Sequence, residues 1–116
     1  MLEFIKVLWF LYVAHAITDV VGQSDRAIAN RRSNWKDHPL ASMRYNPHWF
    51  YWLLAHGLLN GFGVYMVTGY VGLGLGETFH HAFTDYCKDK KYISLGADQL
   101  MHFIAKVIWA LVVIWI

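Results

Sequence analysis

The sequence predicts an all-α protein, an integral membrane bundle of four helices with the third one short. Three observations lead there. Of 116 residues, 57% are hydrophobic and 17% aromatic, with six Trp, more apolar side chain than a small soluble domain can hide. Charged residues make up 16% and gather between long apolar segments. Three of those segments run to about 20 residues, enough for a helix rising 1.5 Å per residue to cross a hydrocarbon core.

The elements follow in order. Residues 2 to 22 form the first span; without a basic n-region or a small-residue cleavage site, they read as a retained helix rather than a signal peptide. Residues 23 to 47 are a polar loop, with Arg26, Arg31, Arg32, Lys36 and Arg44 set against Asp25 and Asp37. Pro47 suits a helix start just beyond it. Residues 48 to about 70 make the second span, opening on His48, Trp49, Tyr51 and Trp52 as an interfacial aromatic belt. Within it Gly57 and Gly61 allow close helix packing. The segment "GYVGLGLGE" reads as a turn or a loosely packed link. Gly72, Gly74 and Gly76 lack the Lys-Ser/Thr of a phosphate loop, which argues against nucleotide binding. The third helix runs from about Glu77 to Cys87, with room to begin a turn or more earlier through the glycines, and stops at "KDKKY". Residues 97 to 116 are the last span. The chain is therefore one four-helix membrane domain over 1 to 116 with a polar loop at 23 to 47.

Charge sets the expected topology. The 23 to 47 loop and the "CKDKK" turn hold most of the Lys and Arg, so both should face the cytoplasm and both termini the outside. A formal charge of +2, with no basic stripe interleaved with aromatics, excludes nucleic acid as a partner. The single Cys87 excludes an internal disulfide and a Cys-rich zinc module. The partner implied instead is the lipid bilayer, and apolar surface left over by four short helices suits a homodimer.

The chemistry lies in "GETFHHAFTDYCKDKK", where Glu77, His81 and Asp85 stack at four-residue spacing on one helix face. The spacing recurs in His15 and Asp19, His56 and Asn60, and Asp98 and His102. Under the expected topology these pairs fall at similar depths on the cytoplasmic side. An unpaired ionisable group in a membrane helix costs at least about 2.5–3.5 kcal/mol, so they must meet each other, water or an ion. Bundle cores build metal sites in this way. The ligand set predicted is His15, Asp19, His56, His81, Asp85, Asp98 and His102. The surplus over a tetrahedral site points to two ions bridged by an Asp, or one ion with further carboxylates orienting each His. A mixed N/O set suits a divalent transition metal, Zn first, then Mn or Fe.

An ion there acidifies a bound water to give hydroxide at neutral pH, suited to attack on a phosphoester or ester in a lipid-linked substrate. Glu77 or a non-bridging Asp would take the proton, though Glu77 reads equally as a ligand or a structural carboxylate. Lys106 or Lys88 would steady a phosphate, with snorkelling an equal reading for Lys106. Gln23 extends the His15–Asp19 face as a further donor, His80 lines the edge, and His38 and His48 belong to the loop and the interface. Two other classes stay open: a channel or metal transporter using these residues as relays, and a non-enzymatic membrane interaction protein in which the polar network only joins helices.

The order "HAITDVVGQSDRAIANR … AHGLLN … HHAFTDYCKDK … ADQLMH" resembles an uncharacterised family of small bacterial and phage membrane proteins, domain of unknown function 3307. The matching positions are His15, Asp19 and Gln23; His56; His81, Asp85 and Lys88; and Asp98, Gln99 and His102. The family is similar to bacterial membrane proteins labelled metal-dependent hydrolases, so the resemblance implies a bacterial inner membrane and a metal site. The 23 to 47 loop, with its "SMRYNPHWFYW" lead into the second span, departs from that pattern.

Overall fold

A computed structural model describes residues 1–21, 28, 31 and 48–116, and these are helical with no strand among them. Helix α1 covers Leu2–His15 and continues as a π-helical stretch over Ala16–Val21; α2 covers Trp49–Thr68, α3 Val71–Asp89 and α4 Leu95–Trp115. Apart from Ile28 and Arg31, the polar loop expected over 23 to 47, with Gln23 and His38, lies outside the described residues.

The third helix is not short. It has 19 residues against 20 in α2 and 21 in α4, because the glycines expected to form a link are helical. Each Gly in a helix interior costs about 1 kcal/mol relative to Ala, so packing must favour them. A Cβ on Gly74 would stand 2.8 Å from the Gly61 carbonyl oxygen, and one on Gly57 2.7 Å from the Thr78 carbonyl oxygen. Gly76 meets the Trp109 ring of α4, where a Cβ would lie 3.1 Å from the nearest ring carbon. The glycines are thus a packing surface for α2 and α4, as expected for Gly57 and Gly61 and not expected for Gly74 and Gly76. The α2–α3 turn shrinks to Gly69–Tyr70. Gly69 takes the left-handed conformation at φ 76° and donates its N–H to the Tyr65 carbonyl at 2.7 Å, a cap that favours glycine. Helix α4 opens two residues earlier than expected, at Leu95, where the Ser94 Oγ accepts the Ala97 N–H at 3.1 Å.

A Gly61→Leu substitution is a direct test of this packing. Its Cβ would strike the Thr78 side chain and the Gly74 backbone carbonyl, and backbone cannot yield as a flexible side chain does. Destabilisation of about 3 kcal/mol is expected, the upper end of overpacking, read as a lowered unfolding midpoint in detergent.

Polarity is arranged inside out relative to a soluble domain. Among the described residues, buried hydrophobic side chains are confined to Leu11, Leu53, Val64, Ala105 and Ala110, while Glu77, His81, Asp85, Asp98, His102 and Lys106 are at most 1% exposed. Trp9, Phe79 and Phe83 are 64–67% exposed. Leu11, Val64 and Ala110 form a small apolar cluster packed by Phe4, Val7 and Trp109 among others. Among the described residues, α4 is the one helix long and apolar enough, by length and composition, to cross a membrane.

Candidate metal centre

Two helices and the π-helical stretch deliver the four closest donors. His56 projects from α2, and His81 and Asp85 from one face of α3, four residues apart. Asp19 comes from the π-helical stretch, a widened turn of the kind that recurs at functional sites. Thr18 ties that turn to α2: its hydroxyl lies 2.7 Å from Asn60 Oδ1 and 3.0 Å from the Ala14 carbonyl. Asn60 in turn donates to the His56 carbonyl at 3.0 Å, so the expected His56–Asn60 pair meets through backbone as well as side chain.

Four donor atoms then converge. His56 Nε2 is 2.9 Å from Asp19 Oδ1 and 3.2 Å from Asp85 Oδ2. His81 Nε2 is 3.1 Å from Asp19 Oδ1, 3.3 Å from Asp85 Oδ2 and 3.0 Å from His56 Nε2. A neutral imidazole nitrogen offers one proton or one lone pair, yet His81 Nε2 has three polar neighbours within that range. A single hydrogen bond leaves two of those approaches unsatisfied; a cation at the centre satisfies all four donors together. Their spacing suits a small ion, since tetrahedral N/O ligands at about 2.0–2.1 Å lie about 3.3 Å from one another. Asp19, His56, His81 and Asp85 are thus able to hold a metal ion.

Charge points the same way. Asp19, Glu77, Asp85, Asp89 and Asp98 supply five carboxylates to this interior, and Arg31, Lys88 and Lys106 supply three cations. With neutral imidazoles, two negative charges remain among the described residues, which one divalent ion, or protonation of two of the histidines lying between carboxylates, would balance.

Surrounding groups hold the four in place. Arg31 donates from Nη1 to Asp85 Oδ2 at 2.9 Å and sets Nε 3.4 Å from Asp89 Oδ2. Glu77 Oε1 lies 3.3 Å from His81 Nδ1 and accepts from Lys106 Nζ, while Glu77 Oε2 accepts from Trp109 Nε1 at 2.7 Å. A carboxylate on one ring nitrogen fixes the tautomer so that the other nitrogen presents its lone pair to the ion. Glu77 and Lys106, expected to act on substrate, therefore sit on the Nδ1 side of His81, away from Asp19, His56 and Asp85 on its Nε2 side. Weakening of metal affinity by about 10–100-fold is expected in Glu77→Gln, the usual effect of losing such a partner, read by competition with a chromogenic chelator.

The remaining expected ligands lie alongside. His102 stacks on His81 with ring centroids 4.2 Å apart and sets Nε2 3.4 Å from both Asp85 Oδ1 and Asp98 Oδ1. His15 lies 3.5 Å from Asp19 Oδ2, its ring 5.2 Å from that of His102. His80 meets the His102 ring edge-on at 5.9 Å, at the margin as expected. His48 sits at the start of α2 beside Tyr51. All seven predicted ligands thus fall in one contiguous cluster, with four of them forming the tight set. Sequence reasoning missed Arg31, one of five similar cations in the loop, which no spacing singled out. It also missed Trp109, which a search for donors three residues beyond Lys106 would have found.

No known family model matches the chain, and no curated protein or solved structure matches it either.

Proposed function

We propose that this chain is an integral membrane metalloprotein of the bacterial inner membrane, with one divalent transition-metal ion, Zn first and Mn or Fe after it, held by Asp19, His56, His81 and Asp85. The convergence of those four donor atoms carries the reading. Exposed aromatic and aliphatic side chains around a charged interior support placement in a bilayer. Positive residues at the "CKDKK" turn support a cytoplasmic position for the adjoining end of the cluster.

The activity proposed is hydrolysis of a phosphoester or ester in a lipid-linked substrate. A cavity of about 490 Å³ bordered by Asp19, Arg31, Lys88, Gln99 and Leu95 reaches the cluster at Asp19. Of its two cations Arg31 is buried against Asp85 and Asp89, which leaves Lys88, beside an apolar wall of Val20, Ile28 and Leu95, to meet an anionic head group. A bound ion would supply an acidified water at neutral pH. Arg31 fixes Asp85, and Glu77 orients His81. The positions that carry the family resemblance, apart from Gln23, gather in or beside this cluster, which supports the same reading.

Metal transport is the second reading, favoured by one observation: the protein offers four ligand atoms within 4.8 Å of one another, the number that fills a closed site, whereas catalytic zinc keeps a position open. One experiment separates them. Protein purified in detergent after metal-replete growth is expected to hold about one equivalent of transition metal and to cleave at least one of a panel of lipid phosphates and esters. Bound metal without turnover, but with metal uptake into proteoliposomes, establishes transport. Absence of metal under those conditions refutes both.

A further inference from the structure

Beside the four donors lies a second carboxylate–histidine group, Asp85, Asp98 and His102, whose ligand atoms also approach closely enough for an ion. Asp85 belongs to both groups, turning Oδ2 toward His56 and His81 and Oδ1 toward His102. His102 is 1% exposed, and neither of its ring nitrogens makes a hydrogen bond among the described residues, nor does Asp98 Oδ1. Its Nε2 is nonetheless aimed between two carboxylate oxygens, 3.4 Å from each. A cation does stand at this group: Lys88 Nζ, 3.4 Å from Asp85 Oδ1 and 3.5 Å from Asp98 Oδ2.

These distances exceed the roughly 2.7–2.9 Å of a close ammonium–carboxylate hydrogen bond. An ammonium also has no lone pair to offer and accepts nothing from a ring nitrogen. Lys88 therefore makes only long hydrogen bonds to Asp85 Oδ1 and Asp98 Oδ2, the latter also accepting from Gln99 Nε2 at 3.0 Å, and leaves both His102 ring nitrogens and Asp98 Oδ1 without a hydrogen bond among the described residues. Resting on the metal reading above, we infer that the Lys88 ammonium stands in place of a second divalent ion between Asp85, Asp98 and His102, and keeps the centre mononuclear. The group itself has the composition of a second site: one imidazole nitrogen and two carboxylates, with Asp85 as the bridge. That mixed N/O set would take Zn or Mn.

The test is metal content, read without any substrate. Wild type is expected to hold one equivalent and Lys88→Met two, a doubling, with Lys88→Arg returning to one. In the Mn-loaded Lys88→Met protein, two ions bridged by Asp85 should give an exchange-coupled paramagnetic resonance spectrum. Adding Asp98→Asn to Lys88→Met should remove the second equivalent and leave the first. One equivalent in a folded Lys88→Met overturns the inference while leaving the first site intact, and so do two equivalents in wild type. No metal in wild type refutes the underlying reading instead. If Lys88→Met is unstable, Lys88→Gln takes its place: instability relieved by added Zn or Mn supports the inference, and instability that metal does not relieve overturns it.

Discussion

His81→Ala is expected to abolish stoichiometric metal binding, lowering affinity by more than the roughly 100-fold that loss of an outer partner can cost. His81 Nε2, like His56 Nε2, lies within 3.3 Å of all three other donors, for His81 those of Asp19, His56 and Asp85, so its loss removes one of the two nitrogens of the set. His102→Ala removes an imidazole stacked directly on His81 but leaves the four donors, and should retain the ion. Both substitutions open a cavity of similar size in the same interior, so general loosening would affect them alike. Elemental analysis with helicity measured in parallel separates the cases: equal metal loss in both variants would show that the ion, if bound, does not use the four-donor set. If His81→Ala keeps a full equivalent while folded, the centre lies elsewhere.

The order and number of the helices were legible because apolar segments are bounded by charge and proline, although among the described residues only α4, and not the four spans expected, is long and apolar enough to cross a membrane. The third helix was misread for a physical reason. Glycine weakens a helix in water, and the sequence shows the penalty but not the partner; only the approach of Gly74 to the Gly61 backbone and of Gly76 to Trp109 explains why helix wins. The cluster was legible because i, i+4 His–Asp pairs put both groups on one helix face, and a short connection such as Gly69–Tyr70 sets α2 and α3 side by side. Division of labour within it was not legible. Glu77 and Asp85 flank His81 symmetrically in sequence, one turn to each side. In the fold Asp85 faces the Nε2 side and Glu77 the Nδ1 side, a difference set by ring orientation that spacing does not encode. The π-helical stretch was likewise invisible: "AITDVV" reads as ordinary helix until Thr18 is seen against Asn60.

Lys106→Met should be the most destabilising single substitution away from the donor set, by about 3–5 kcal/mol, the cost of leaving a buried charge without its partner. Snorkelling predicts a different result, since a side chain reaching toward an interface can be shortened or neutralised at a cost within about 0.5 kcal/mol. The surroundings argue against it: Lys106 is 1% exposed, Glu77 is fully buried, and the ammonium donates directly to the carboxylate. With Lys106 gone, Glu77 keeps Trp109 and His81 as its hydrogen-bond partners among the described residues, too little to offset a carboxylate in this interior. The double variant Glu77→Gln/Lys106→Met removes both charges and should recover most of the lost stability, because a neutral amide can still meet Trp109. It should not recover full metal affinity, because the amide no longer fixes the His81 ring as a carboxylate does. Unfolding midpoints and chelator competition on the two variants therefore move in separate directions: stability follows the charge balance of Glu77 and Lys106, and affinity follows Glu77 alone. If stability and affinity return together in the double variant, Glu77 is a structural counter-ion and the orientation of His81 is set by something else.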